Sequence, residues 1–269
     1  MPLRKTWFDR HFGQYQWIGW AICILAAFFY CYEYSLRITP SIISTSLRSH
    51  YGDLSLSSLG TLSSLYYWAY TPMQAVVGVS IDRYGPRHSL LMAILICIVG
   101  NYLFGATSNI YVAAIGRLLV GMGSAFAFVG ALKLAAIWLP KKYFPFFSGL
   151  LMTVGMIAAI AGDYAMTWIN LHWGWHSVIY SGSVIGLILF GIFILAVHEK
   201  SIPKTRQKKQ TSLGFMYKTF WRLLTTPKYI TVGLIGCFLS LSLIGFADMW
   251  GIPFLKTLYP NNELHNATI

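Results

Sequence analysis

Long apolar runs limit what this chain can fold into more than any other feature of its sequence. A helix rises about 1.5 Å per residue, so crossing roughly 30 Å of hydrocarbon takes about 20 predominantly apolar residues. Seven runs approach or exceed that length: residues 15–38, 54–81, 89–108, 110–139, 144–169, 175–197 and 229–250. The sequence therefore predicts an all-α, polytopic transmembrane bundle of about seven spans.

Composition supports the same conclusion. Hydrophobic residues make up 56% of the chain and charged residues 10%, and the mean hydropathy is +0.58. These values exclude an ordinary soluble domain. The first run is aromatic and ends in Arg37 and Pro40 instead of a small-residue cleavage site. We therefore expect a retained span and not a signal peptide.

The basic residues predict topology. The net charge is +12, but Lys and Arg fall mainly before the first span and after the second, fourth and sixth. Such placement argues against a nucleic-acid surface, and the positive-inside rule puts the amino terminus in the cytoplasm. We expect a multi-pass protein of a bacterial inner (plasma) membrane.

The spacing of the runs divides the chain into four parts. Residues 1–198 predict a six-helix transmembrane bundle, 199–228 a basic cytoplasmic linker, 229–259 a seventh transmembrane helix and 260–269 a polar tail. Aromatic residues alternate with Lys and Arg late in the linker. This pattern fits an amphipathic helix on an anionic leaflet, and a solvated tether fits it equally well.

A polar turn between the second and third spans carries the spacing G-x-x-x-D-R-x-G-x-R. Its residues are Gly78, Asp82, Arg83, Gly85 and Arg87. We expect Asp82 to accept hydrogen bonds from amides at a helix start or to pair with Arg83 or Arg87. Gly85 permits a positive φ, and the following proline stops helix continuation. A basic loop that only fixes topology is the simpler alternative.

This turn resembles the signature of the major facilitator superfamily, G-x-x-x-D-R/K-x-G-R/K-R/K, although Pro86 replaces a basic residue. The fourth span has R-x-x-x-G-x-G from Arg117 to Gly123, which is similar to a second element of that family. The resemblance covers residues 1 to about 259. It corresponds to the family's amino-terminal six-helix half plus the seventh helix, with the carboxy-terminal half largely missing.

The resemblance implies a secondary active transporter that moves a small solute by alternating access, with the turn as a conformational latch and with no cofactor. The fifth span lacks the G-x-x-x-G-P pattern of drug exporters, which favours uptake, for example by symport with protons. The alternative is a non-transporting truncated fragment or one piece of a split transporter. A missing carboxy-terminal half or a homodimer partner would then complete it.

Charged residues inside spans are functional candidates because each costs about 2.5 to 3.5 kcal/mol at the bilayer centre on insertion scales. Glu33, Arg117 and Asp163 are predicted to lie roughly 7 to 12 Å below the outer helix ends, and Arg37 lies one turn above Glu33, so that all four share one layer of the outer half. We hypothesise an ion-pair network in which Arg117 contacts substrate or a protonatable acid. Alternatively, Glu33 and Arg37 neutralise each other at i, i+4, and Arg117 and Asp163 bond helices together.

Other polar residues of the spans suggest an anionic solute. Lys133 either extends to the cytoplasmic surface or faces a cavity, where it would act with Arg117. Hydroxyl and amide groups that would orient a ligand occur in the second span, although such an aromatic stripe is more often packing. These residues are Tyr66, Tyr67, Tyr70 and Gln74.

Small residues predict close helix contacts, either in a rocking bundle or in a static one. The candidates are Gly121, Gly123, Gly182 and Gly186. An enzyme is not expected: Asp163 and Asp248 lie on separate spans, as in aspartyl intramembrane proteases, but their flanking residues do not match those motifs. The His and Cys spacing predicts no metal site.

Overall fold

The structure, a computed structural model, describes residues 7–52, 54–197, 222, 225–241, 246 and 250–258. Most of the predicted linker, Asp248 and the polar tail lie outside these ranges. The domain boundaries at residues 198 and 228 therefore stay predictions.

The described residues form helices joined by short turns. The helices are α1 (Trp7–Ile42), α2 (Ser44–His50), α3 (Leu56–Tyr84), α4 (Pro86–Gly105), α5 (Ile110–Trp138), α6 (Phe144–Trp173), α7 (Trp175–Ala196), α8 (Pro227–Leu241) and α9 (Gly251–Leu258). A short 3₁₀ turn, Lys141–Tyr143, connects α5 to α6. One helix matches each of the first six predicted spans, and α8 begins the seventh. The all-α class is confirmed.

Among the residues that the structure describes, five helical segments are long and apolar enough to cross a membrane: Trp17–Ile42, Pro86–Gly105, Ile110–Trp138, Lys141–Trp173 and Trp175–Ala196. Helix α3 is also long, with 29 residues, but its first half is rich in Ser and Thr. Its hydroxyl groups bond to its own backbone, as Thr61 Oγ1 donates to Ser57 O at 3.0 Å. Such bonds lower the cost of placing hydroxyls in hydrocarbon.

The helix ends follow local sequence chemistry. Ser55 Oγ accepts the Ser58 N–H at 3.1 Å, which starts α3 two residues later than the apolar run. Asn109 Oδ1 likewise accepts the Tyr111 N–H at the start of α5. Gly85 separates α3 from α4 with a φ of 84°, and Pro86 is the first residue of α4. Proline fits there because a first-turn N–H has no helical partner.

Helix α5 is the centre of the bundle and packs against α1, α3 and α4. Its glycines allow this closeness: a Cβ on Gly121 would lie 2.1 Å from Tyr66 O, and one on Gly123 would lie 2.6 Å from Ala93 O. On α7, a Cβ on Gly186 would lie 2.4 Å from the Tyr32 hydroxyl, and Gly182 contacts Asn101. All four glycines named from sequence therefore lie at helix contacts.

A buried amide joins α4 to α7. Asn101 is 3% exposed, and its Nδ2 donates to Ile179 O at 2.7 Å and to Ser183 Oγ at 2.9 Å. Inside a bundle such bonds fix which residues face each other, since an unpaired amide would be costly.

We predict that Gly121→Val lowers the stability of the bundle because the new side chain would overlap the α3 backbone. Overpacking of this kind costs about 1 to 3 kcal/mol. Thermal or denaturant unfolding in detergent measures the loss. Gly191→Val is the matched control, because a Cβ there meets nothing within 4 Å. Equal stability of the two variants would contradict the tight α3–α5 contact.

Candidate functional site

A buried ion pair lies at the centre of the candidate site. Glu33, 1% exposed, pairs with the Arg37 guanidinium one helical turn further along α1. The Tyr66 hydroxyl of α3 donates to Glu33 Oε1 at 3.1 Å and accepts from Arg37 Nε at 3.2 Å. These side chains, together with Tyr34 and Tyr70, are called the Arg37 cluster below.

Aromatic rings surround the guanidinium of the Arg37 cluster. Its central carbon lies 4.4 Å from the ring centre of Tyr34, 5.6 Å from that of Tyr66 and 5.5 Å from that of Tyr70. Ring faces attract cations, and the attraction increases when water is excluded. The rings therefore help to keep Arg37 charged away from water, while Glu33 balances its charge.

Arg117 contacts the backbone of α1. Pro40 has no N–H, so the Leu36 carbonyl lacks its usual helical donor four residues later. Arg117 Nη1 donates to that carbonyl at 2.9 Å, and Nη2 donates to Arg37 O at 3.3 Å. The guanidinium thus satisfies an acceptor that the proline exposes and fastens α5 to α1.

This position of Arg117 matches the alternative of a bond between helices and differs from the contact with an acid. The Arg117 guanidinium donates to carbonyls, and its central carbon lies 5.3 Å from the ring centre of Tyr66 and 5.5 Å from that of Phe104. Sequence reasoning missed the reason, which is the gap that Pro40 leaves in the α1 ladder. Tyr66 nevertheless links Arg117 to the Arg37 cluster because it contacts both guanidinium groups.

The remaining predicted ligand residues lie around this centre. The Tyr67 ring packs edge-on against Tyr66 at 5.0 Å, and Gln74 is exposed one turn beyond Tyr70 on α3. Asp163 lies half-buried on α6, directly after Gly162, which packs against Ser35 of α1.

The polar turn forms a second site near the opposite ends of the same helices. Asp82 Oδ1 accepts from Lys133 Nζ of α5 at 2.6 Å, and Arg87 Nη2 donates to Ile194 O at the end of α7. The expected pairing of Asp82 with Arg83 or Arg87 is not what the structure has. Lys133 reaches towards the helix ends, where its charge stays 39% exposed.

These contacts join helices at one end of the bundle. The Asp82–Lys133 pair bridges α3 and α5, and Arg87 places a positive charge at the negative end of the α7 dipole. Arg83 is exposed, with its guanidinium 5.3 Å from the ring centre of Tyr84. Within the described residues no group of His, Cys, Asp and Glu is arranged to hold a metal ion.

The family follows from a comparison with known proteins. The model of the Major Facilitator Superfamily matches residues 18–267. The chain belongs to this superfamily. Its members are transporters and not enzymes, so the resemblance, the multi-pass membrane character and the expectation of a non-enzyme are confirmed.

Individual relatives are more distant. The probable galactarate/D-glucarate transporter GudP of Bacillus subtilis is 28% identical over 200 residues, which are 71% of this chain and 43% of the relative. The probable sulfoacetate transporter SauU of Cupriavidus necator is 24% identical over 191 residues, or 70% of this chain and 44% of the relative. The chain thus spans less than half the length of these relatives.

The fold has a close counterpart among solved structures. A bacterial homologue of the human lysosomal transporter Spinster, inward-facing and unoccupied, aligns with a TM-score of 0.72 at 15% identity. The alignment covers 93% of this chain and 58% of that one. At this identity the match establishes the helical arrangement alone.

We predict that the Arg117 clamp depends on Pro40. Arg117→Leu should destabilise the bundle by about 1 to 3 kcal/mol because a buried carbonyl loses its donor. In a Pro40→Ala background, the restored backbone N–H at position 40 can bond to Leu36 O, so the same substitution should cost less. A double-mutant cycle from denaturant unfolding measures the difference. Additive effects would show that the clamp does not compensate for the proline.

Proposed function

We propose that this chain forms one bundle of a secondary transporter that takes up a small organic anion by alternating access. This proposal rests on the Arg37 cluster, in which the Glu33 carboxylate and three aromatic rings hold a cation between spans. The names of GudP and SauU support this substrate class, because galactarate, D-glucarate and sulfoacetate are all anions at neutral pH.

Charge balance suggests how the anion would bind. Arg37 is only 10% exposed, and its charge is already offset by Glu33. A solute carboxylate can pair with the Arg37 guanidinium only if the Glu33 charge is removed, because two carboxylates beside one cation leave a net negative charge buried. Protonation of Glu33 removes it. We therefore propose symport of the anion with a proton carried by Glu33.

Tyrosines would complete the binding site. Tyr66 donates to Glu33 now, and the same hydroxyl can donate to a bound carboxylate once Glu33 is protonated. Tyr67, Tyr70 and Gln74 continue along α3 and would contact the rest of the solute. We place Arg117 in this site as a positioning residue that fixes α1 next to Arg37, with Lys133 near the exit. Asp163 is proposed as a second protonatable group.

The polar turn would act as the latch. We propose that Asp82–Lys133 and Arg87–Ile194 O hold one end of the bundle together in one state, on the cytoplasmic side. The position of Gly78 supports a contact between the turn and a second bundle, because Gly78 is exposed and a Cβ there would meet nothing within 4 Å. Its bare surface would let a helix from a second bundle approach the turn closely.

A second six-helix unit belongs to the proposal. Alternating access needs two bundles that rock about a shared site, and exposed apolar side chains on α3, such as Trp68 at 74% and Val76 at 49%, would be covered by the other one. That unit would be a second copy of this chain or the equivalent of the relatives' remaining length. Lipid bilayer and solute are the other proposed partners.

We predict that purified chain in proteoliposomes accumulates D-glucarate when a proton gradient is applied. Glu33→Gln should abolish gradient-driven accumulation but retain exchange of labelled for unlabelled solute, because a neutral residue 33 leaves Arg37 available. Arg37→Gln should abolish both. Lys141→Gln, which removes an exposed charge outside the site, is the control. Accumulation that is unchanged in Arg37→Gln would refute the assignment.

A further inference from the structure

A cavity of about 630 Å³ lies where α3 ends and α4 begins, away from the Arg37 cluster. Residues of α3, α4 and α5 line it. Arg83 and His88 are exposed at the turn, Ser89 is buried in the wall behind them, and Met92, Ile96 and Phe126 line the part that runs between the helices. The cavity is therefore basic at the membrane border and apolar towards the membrane interior.

Hydrogen-bond donors are concentrated at the mouth. Ser89 is 4% exposed, and its Oγ has no partner among the described residues. Other hydroxyls of this bundle, such as Thr39 Oγ1, which donates to Ser35 O at 2.9 Å, bond back to their own helix. The Ser89 hydroxyl does not, so it remains a buried donor in the cavity wall that an incoming acceptor would satisfy.

The start of α4 adds to this polarity. No side chain caps the helix at Gly85. Pro86 has no N–H and the Ser89 N–H donates to Gly85 O, so the first-turn N–H groups that can face a ligand belong to Arg87 and His88. Helix amino termini attract anions, and this amino terminus belongs to α4, a helix of 20 residues. Arg83 is exposed beside it. The nearby carboxylate of Asp82 is offset by Lys133 and so opposes an anion only weakly.

We propose that this cavity binds an anionic phospholipid. The phosphate would lie among Arg83, His88, the Ser89 hydroxyl and the first-turn N–H groups of α4. An acyl chain would follow Met92 and Ile96, which lie about 4.5 and 10.5 Å beyond Ser89 along α4 by the helix rise. A free phosphate would fill only the mouth and leave the apolar part without a ligand. The amphipathic wall therefore favours a lipid.

Native mass spectrometry of the purified chain in detergent tests this site, and its result does not depend on whether the chain transports anything. The probes are phosphatidylglycerol, phosphatidylcholine and inorganic phosphate. We expect the chain to retain phosphatidylglycerol in preference to phosphatidylcholine. Arg83→Gln combined with His88→Gln should weaken that retention roughly fivefold or more, since an arginine near an anionic headgroup contributes about 1 kcal/mol and the His88 substitution changes a second polar side chain of the cavity.

The control and the competing source of phosphate decide the outcome. Lys141→Gln removes an exposed charge from the turn between α5 and α6, outside the cavity, and should retain phosphatidylglycerol like the unmodified chain. Ser89→Ala, a small change at a buried position, should weaken retention with the fold intact. Equal retention in the double variant and in Lys141→Gln would overturn the proposal. Displacement of the lipid by millimolar inorganic phosphate would overturn it in favour of a soluble anion.

Discussion

Every polar group of a helix placed in hydrocarbon needs a partner inside the protein, and the arrangement around Pro40 shows how strongly that requirement acts here. Proline removes one donor from α1, so Leu36 O turns to Arg117 of another helix. The buried guanidinium gains an acceptor, and the carbonyl gains a charged donor. A carbonyl without a donor and a buried guanidinium would each be unfavourable in a membrane, and each stabilises the other.

Close packing also surrounds Arg117 on its other sides. Glycines of α5 bring α3 and α4 near, with Gly121 against Tyr66 O and Gly116 against Gly100 O. The same approach places Tyr66 between Arg37 and Arg117. The candidate solute site is thus a product of backbone proximity, and side-chain chemistry acts within the space that the glycines leave.

Much of the fold could be predicted from sequence because apolar length is a local property. The sequence predicts the first six spans to within a few residues at most ends, and the Glu33–Arg37 pair follows from i, i+4 spacing on one helix. The partners of Asp82 and Arg117 could not be predicted, because Lys133 and Leu36 O lie on other helices whose relative rotation no local pattern reveals. The available signal was a proline, Pro40, at the end of the first span together with an arginine, Arg117, inside the fourth.

Helices α4 and α7 are attached to each other at two separate levels. Arg87 reaches Ile194 O near one end of the pair, and Asn101 reaches Ile179 O about 21 Å further along α4 by its rise. Two helices joined at two separated points can neither rotate nor slide independently of each other. During any transport cycle we therefore expect α4 and α7 to move as one rigid unit, so that bending must occur in other helices of the bundle.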